Sequence, residues 1–364
     1  MSNDLYLVYA GKPTYGGWVS FTSHLSKVAN AKGIYRFSKR SEKRTRPYGY
    51  DCSYQNTTVA DFIETLKAST LPPVVIITAV DRHYYESIQN LVDSLNTFTT
   101  ATTPIPLKVG IVIHDPTEVA GKKAQVFVNL LETYRSNINL LTIRPRVYTH
   151  LKKQYNLEST LCYHPFHLFT TTTTLSPTPD TPNHRAVSIA RIDHDKHTDI
   201  IVQANKMLPS HLRVALYGAI NGFYAYKRLH TYDTMKRDDP DSNYHGTFAK
   251  DWQKVTDIVN PYSYVVDLSI IKGDGGHTQY TFLEAIYLGK VLILHHSWIS
   301  GPDSIWIENE NCLAVSTPEQ LVQKLTHPLS TEAYKKIVVN SQKILDSCLQ
   351  YDWVKIGEKF LNFF

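Results

Sequence analysis

The 364-residue sequence predicts an α/β protein built from two doubly wound, Rossmann-like halves. Three observations carry that prediction. Short apolar runs alternate with amphipathic stretches along the whole chain. The runs are continuously apolar, as in parallel strands covered on both faces. The alternation breaks once, at "FTTTTTLSPTPDTPNH" (169–184), where threonine and proline without periodicity make a poor core and a good linker. Residues 1–168 are therefore the expected first domain and 185–350 the second. Ligands of such sheets bind at the carboxyl ends of strands, and two halves of this kind imply a cleft between them.

In the first half, "DLYLVYAG" (4–11) reads as a strand ending in a glycine turn. "WVSFTSHLSKVANAKG" carries Val19, Leu25 and Val28 near helical spacing, with Gly33 as the expected stop. "GIYRF" is a second short strand, "VADFIETLKAS" a helix and "VVIITAV" (74–80) a buried strand. "ESIQNLVDSLNTF" predicts a helix, "LKVGIVIHD" (107–115) a strand running into a polar pair, "AQVFVNLLETYRSN" a helix and "INLLTI" a strand. In the second half "AVSIARI", "RVALYGA", "SYVVDLSII", "VLIL" and "CLAV" read as strands. "TDIIVQANKML", "WQKVTDIVN", a stretch from His277 to Leu288, "TPEQLVQKL" and "TEAYKKIVVNSQKILDSCL" read as helices, and "YDWVKIGEKFLNFF" (351–364) closes the chain.

Composition narrows the function classes. No run of about 18 apolar residues occurs, so no membrane-spanning helix is expected. The start "MSNDLYLVYAG" lacks the basic and apolar regions of a signal peptide, and Cys52, Cys162, Cys312 and Cys348 stand far apart without metal-ligand spacing. Reduced thiols and a cytoplasmic setting are the expectation. A net charge of +5 permits an anionic partner without requiring one.

Four stretches carry chemistry. In "IIKGDGGHTQYTFLEAIYLGKVLIL" (270–294) a glycine-rich turn precedes a helix that stops at Gly289. Main-chain N–H groups at Gly275, Gly276 and His277, with the helix dipole behind them, make an anion site; the same glycines could do no more than form the turn. Glu284, among apolar neighbours on that helix, needs a partner: the two hydroxyls of a vicinal diol such as ribose, or a nearby basic side chain. "SIARIDHDKH" sends Arg191 and Lys196 off the end of a strand, five residues apart, where two cations suit a diphosphate leaving group or belong to a solvated loop. "GIVIHDP" leaves His114 and Asp115 at a strand end, to bind a sugar hydroxyl, to relay a proton, or merely to cap a turn. In "GKPTYGGWVSF", Gly16 and Gly17 open a second place where backbone can approach a ligand, without a full dinucleotide fingerprint.

The basic run "RFSKRSEKRTR" sets Arg36, Lys39, Arg40, Lys43, Arg44 and Arg46 against Glu42 alone. It is either a solvated loop or an arm that contacts phosphates, with Tyr35, Tyr48 and Tyr50 nearby for mild stacking.

These stretches together resemble the retaining GT-B glycosyltransferases, the large group that includes sucrose and glycogen synthases. The likeness rests on "YGGWVSF", on "SIARIDHDKH", on "QYTFLEAIYLGKVLI" against the family's LEAxxxGxPVI, and on "YDWVKIGEKFL" against its closing helix. One departure is Gly276, which stands where the family carries the first of two glutamates eight positions apart. The DNA α-glucosyltransferases of T-even phages likewise lack that glutamate and carry an HD pair at the end of an apolar strand, and the chain resembles them distantly.

The resemblance implies a nucleotide-sugar donor, UDP-glucose or a close relative, and no metal. Arg191 and Lys196 would hold the diphosphate, Glu284 the ribose, and the amides near His277 and Thr278 the phosphates. The first domain would bring the acceptor, and residues 351–364 would cross back to pack on it. A hydroxymethylated base in phage or viral DNA is one acceptor, which the basic run would serve by contacting duplex backbone in the host cytoplasm; a glycan or lipid is the other. A nucleotide-sugar 2-epimerase would need ring-directed carboxylates, for which Asp115 is the lone candidate. A non-catalytic relative is the third possibility, suggested by Gly276.

Overall fold

The computed structural model describes residues 4–11, 16–81, 83–101, 109–120, 124–168, 182–229, 243–270, 277–301, 304–327 and 329–356. The glycine turn with Gly275 and Gly276, most of the expected linker, and residues 357–364 of the expected closing helix therefore lie outside the described residues. The described residues fall into two compact units, one holding those through His167 and from Cys348 onward, the other those from Leu168 to Ser347.

The first unit is an eight-stranded sheet: β1 (Asp4–Ala10), β2 (Gly33–Phe37), β3 (Thr45–Gly49), β4 (Cys52–Thr57), β5 (Pro73–Val80), β6 (Val109–Ile113), β7 (Ile138–Thr142) and β8 (Thr160–Leu161). Their order is β3-β4-β2-β1-β5-β6-β7-β8. Every neighbouring pair is parallel except β3 with β4. Helices α1 (Gly17–Val28), α2 (Val59–Lys67), α3 (Tyr85–Ala101), α4 (Ala124–Thr133) and α5 (Pro145–Tyr155) connect the strands. Val8, Ile77 and Ile111, on three adjacent strands, are each fully buried. At about 2 kcal/mol per buried side chain, such positions outweigh the exposed ion pairs of this unit, worth ~0–1 kcal/mol each. Thr58 caps α2 by accepting from Asp61 N at 3.1 Å.

Three local expectations are corrected. Helix α1 ends at Val28 rather than at Gly33: Asn30 takes the left-handed turn at φ 48°, and Gly33 is already the first residue of β2. Residues 45–57, in part read as a basic loop, form the β3–β4 hairpin. Its turn places Tyr50 and Asp51 at φ 50° and 57°, the mirror-image geometry that hairpins favour, without the Asn-Gly signal that usually announces it. Helix α5 was not anticipated; Pro145 opens it, Asn156 closes it at φ 50°, and Val147 and Leu151 supply its buried face.

The second unit is a five-stranded parallel sheet of β9 (Ala186–Ser188), β10 (Ala215–Leu216), β11 (Tyr264–Asp267), β12 (Val291–His295) and β13 (Leu313–Val315), in the order β10-β9-β11-β12-β13. Around it lie α6 (Thr198–Met207), α7 (Gly222–Tyr224), α8 (Trp252–Val259), α9 (Tyr280–Tyr287), α10 (Pro318–Thr326) and α11 (Thr331–Leu349). From β9 the chain moves first to one side, to β10, and then to the other, to β11. The gap between the carboxyl ends of β9 and β11 is thus the point where strand order reverses, where open α/β sheets bind ligands. Gly218, at φ 144°, lets the chain beyond β10 pass so close that a Cβ there would stand 2.2 Å from Ala190 O.

Candidate active site

In the second unit the loops after β9 and β11 meet at that reversal point. The loop after β9 carries Arg191 and Lys196. Lys196 Nζ donates to Ser269 Oγ at 2.6 Å, crossing to the loop after β11, and lies 3.4 Å from Gln279 Oε1 at the start of α9. Ser269 is itself fixed. Its amide donates to Asp267 Oδ1 at 3.0 Å, its hydroxyl donates to the same oxygen, and its carbonyl accepts from Trp298 Nε1 at 2.6 Å. Trp306 Nε1 donates to His277 O at 3.0 Å, and Phe282 packs edge-on against both indoles. Two tryptophans therefore hold the main chain on either side of the glycine turn.

Helix α9 begins at Tyr280, later than the expected His277, because Gln279 is extended at φ −137°, ψ 160°. No side chain caps it, so its first turn still presents main-chain donors to an anion. Thr278 is buried and His277 half-buried just before it. Gly289 ends the helix region at φ 67°, as expected. Arg191 does not share the partners of Lys196. It is exposed, and its guanidinium donates to Asp193 Oδ2 at 3.2 Å and Asp195 Oδ2 at 3.4 Å, contacts a diphosphate would have to displace.

Glu284 is fully buried, and of the two partners open to it the structure supplies the basic one: Lys250 Nζ donates to Oε1 at 3.1 Å and to Oε2 at 3.2 Å. His197 and His295 stack at 4.8 Å at the carboxyl end of β12, and burial, with His197 and His296 close by, holds His295 below the usual imidazole value.

In the first unit, His114 follows β6 directly and is buried against Phe21, whose ring meets it edge-on at 4.8 Å. Its Nε2 stands 2.8 Å from Thr78 O. A carbonyl can only accept, so Nε2 carries the proton and Nδ1 the lone pair. Burial pushes the imidazole down to about 4, which makes a neutral hydrogen-bonding group and a poor base. Its amide donates to Glu118 Oε2 at 3.1 Å; Glu118 is buried, and burial raises its carboxyl well above the ordinary value. Tyr85 and Tyr155 donate to the carbonyls of Glu118 and Val119 at 2.8 and 2.7 Å, clamping the turn that follows His114. Asp115 and Arg144 are both half-buried; Arg144 feels both Asp115 and Glu118, while desolvation lowers its own value. Trp353 packs edge-on against Phe21 at 5.8 Å, which sets the aromatic start of the last described segment behind His114.

Gly16, at φ 93°, precedes α1 beside Gly17; both are exposed, and a Cβ on either would meet nothing within 4 Å. Of the basic run, Arg36 donates to Gly11 O at 3.0 Å and Arg46 pairs with Glu42 at 2.7 Å, so both are engaged in the fold. Lys39, Arg40, Lys43 and Arg44 are exposed. The expected stacking role of Tyr48 and Tyr50 is corrected: both rings are buried, at 6% and 0% exposure, by the hairpin that the sequence reading missed.

Lys250, Ser269, Gln279, Glu118 and Arg144 escaped the sequence reading. Glu118 lies four residues after His114, a spacing that could have been weighed; Lys250 lies 34 residues from its partner and left no pattern.

No family profile matches the sequence, and no curated protein does. Solved structures do match the fold. The Anabaena protein Alr3699/HepE, solved in complex with UDP-glucose, aligns with TM-score 0.65 at 15% identity over 98% of each chain. The α-glucosyltransferase of T4, solved with UDP and a 13-mer DNA containing an HMU base, gives 0.65 at 13% identity over 99% of this chain and 98% of that one. The lipopolysaccharide outer core galactosyltransferase WaaB gives 0.51 at 13% identity over 99% and 98%. Across nearly its whole length, the chain has the fold of the GT-B glycosyltransferases.

Proposed function

We propose that the protein is a retaining glycosyltransferase that moves a hexose from a UDP-sugar, glucose before others, to a hydroxymethylated base in duplex DNA. The observation that carries the donor half is Lys196, which spans the strand-order reversal from β9 to Ser269 and reaches the uncapped start of α9. A cation and a helix N-terminus converging on one point favour a diphosphate, and favour it more as charge builds on the leaving oxygen. In this reading Arg191 leaves Asp193 and Asp195 to grip the phosphates with Lys196. The amides of His277 and Thr278 complete the phosphate contacts, together with Gly276 outside the described residues. Glu284 takes the ribose. His114 accepts a sugar hydroxyl on Nδ1, Asp115 orients a neighbouring group, and the open backbone at Gly16 and Gly17 admits donor and acceptor. These groups ask no metal to balance the diphosphate.

The acceptor half rests on the exposed Lys39, Arg40, Lys43 and Arg44, which favour a polyanion, and on the likeness to a glucosyltransferase solved on DNA. A base inside a duplex would have to be flipped out. The test offers UDP-glucose with DNA containing 5-hydroxymethyl bases, with unmodified DNA and with glycan acceptors, and reads nucleosides by mass spectrometry and the anomer by NMR. The expected product is a hexosylated base in the α configuration, formed on hydroxymethylated DNA alone. Changing the four exposed cations to Ala is expected to lower the log–log salt slope of DNA binding by about 3 to 4. Transfer to a glycan with indifference to DNA would replace this acceptor.

A further inference from the structure

Glu284 does not stand alone. Lys250 reaches it from a separate segment, which runs beside β10: Leu216 N donates to Asn243 O and His245 N to Leu216 O, each at 2.8 Å, and Gly218 N donates to Gly246 O at 2.9 Å. The segment then turns into α8 at Asp251, whose carboxylate accepts from Lys254 N at 2.8 Å. One amine placed nearly equidistant from both oxygens, at 3.1 and 3.2 Å, balances the charge of a fully buried carboxylate and fixes its rotation. The carboxylate is 0% exposed while the Lys250 side chain keeps 23% of its surface, so the ion pair meets solvent on the lysine side.

We propose that Lys250 is a positioning and specificity residue of the pentose site: it aims the Glu284 carboxylate, and the pair, rather than the glutamate alone, reads the vicinal diol of a ribose. This rests on the UDP-sugar reading above. A carboxylate oxygen has more than one acceptor site, so pairing with Lys250 does not by itself close the group to a diol, which supplies two donors. A 2′-deoxy pentose supplies one, leaving a desolvated acceptor unmatched, and sites built around a hydroxyl reject the analogue that lacks it. A pair that serves only to hold α9 would show no such preference.

The test is calorimetric titration of UDP and 2′-deoxy-UDP into the wild type, Lys250→Gln and Lys250→Arg. Glutamine can still donate to Glu284 and so protects the fold; arginine restores the charge. Both nucleotides are compared on the same folded sample, so a general loss of stability leaves their affinity ratio unchanged. The wild type is expected to prefer UDP by about tenfold or more. Lys250→Gln is expected to fall to within about twofold of no preference, and Lys250→Arg to recover most of it. A Lys250→Gln protein that keeps the wild-type ratio, or a wild type that binds both nucleotides equally, overturns the role of Lys250 while leaving the donor reading in place. A wild type that binds neither nucleotide overturns the donor reading, and this inference with it.

Discussion

Lys196→Met is expected to lower kcat/KM for UDP-sugar turnover by about 10²–10³-fold, with most of the loss in kcat. Methionine keeps the length and apolar stem of lysine and removes the charge. The amine it deletes is fixed in advance: Ser269 Oγ lies 2.6 Å away, and Ser269 is held by Asp267 and Trp298. A cation already in place need not reorganise as the sugar–phosphate bond breaks, so its contribution grows toward the transition state. Arg191 is exposed and already engaged with two aspartates, so it is expected to compensate poorly for the lost amine. The loss is checked by steady-state kinetics, with circular dichroism to confirm the fold. A rise in KM with kcat unchanged would instead assign Lys196 to uniform binding, without a share in leaving-group departure.

The second large effect is on stability. Between pH 7 and pH 4 the wild type is expected to lose about 3 kcal/mol more than His114→Gln. The imidazole goes from an ordinary 6.5 to about 4 when burial removes it from water. Across that interval the unfolded chain binds the proton and the folded protein does not, so the contribution is intact above 6.5 and is lost as pH falls toward 4. Burial above all, with Arg144, opposes the charged imidazole, whereas the Thr78 carbonyl and Asp115 favour it. The raised Glu118 carboxyl works in the opposite sense, stabilising below its unfolded value and losing that contribution as pH rises. Both proteins contain Glu118, accepting from the amide of residue 114, so its effect cancels in the difference. Urea titrations of both proteins across this pH range measure it; parallel curves would mean that the imidazole titrates normally in the folded state.

Both sets of expectations came from places where local chemistry leaves a mark in sequence. Continuous apolar runs announced β1, β5, β6 and β11, since a strand covered on both faces has no polar side to interrupt it. Arg191 and Lys196 were legible because they follow such a run at once. The β3–β4 hairpin was not, because Tyr50 and Asp51 adopt left-handed backbone without the glycine that would signal it. Helix α5 hid for a different reason: its buried face is two residues in an otherwise polar stretch. The Lys250–Glu284 pair shows the larger limit. Burial of Glu284 could be read from "FLEAIYLG", but its partner is chosen by how the segment beside β10 is laid against α9, and no local pattern records that.

Binding of a nucleoside diphosphate by the second unit, between Lys196 and the start of α9, is read out by hydrogen exchange with and without saturating UDP. Slowed exchange is expected in 191–197 and in 277–284, with β13 and α10 unchanged. UDP that binds while both segments exchange at their free rate, or that protects a different face of the sheet, would contradict it.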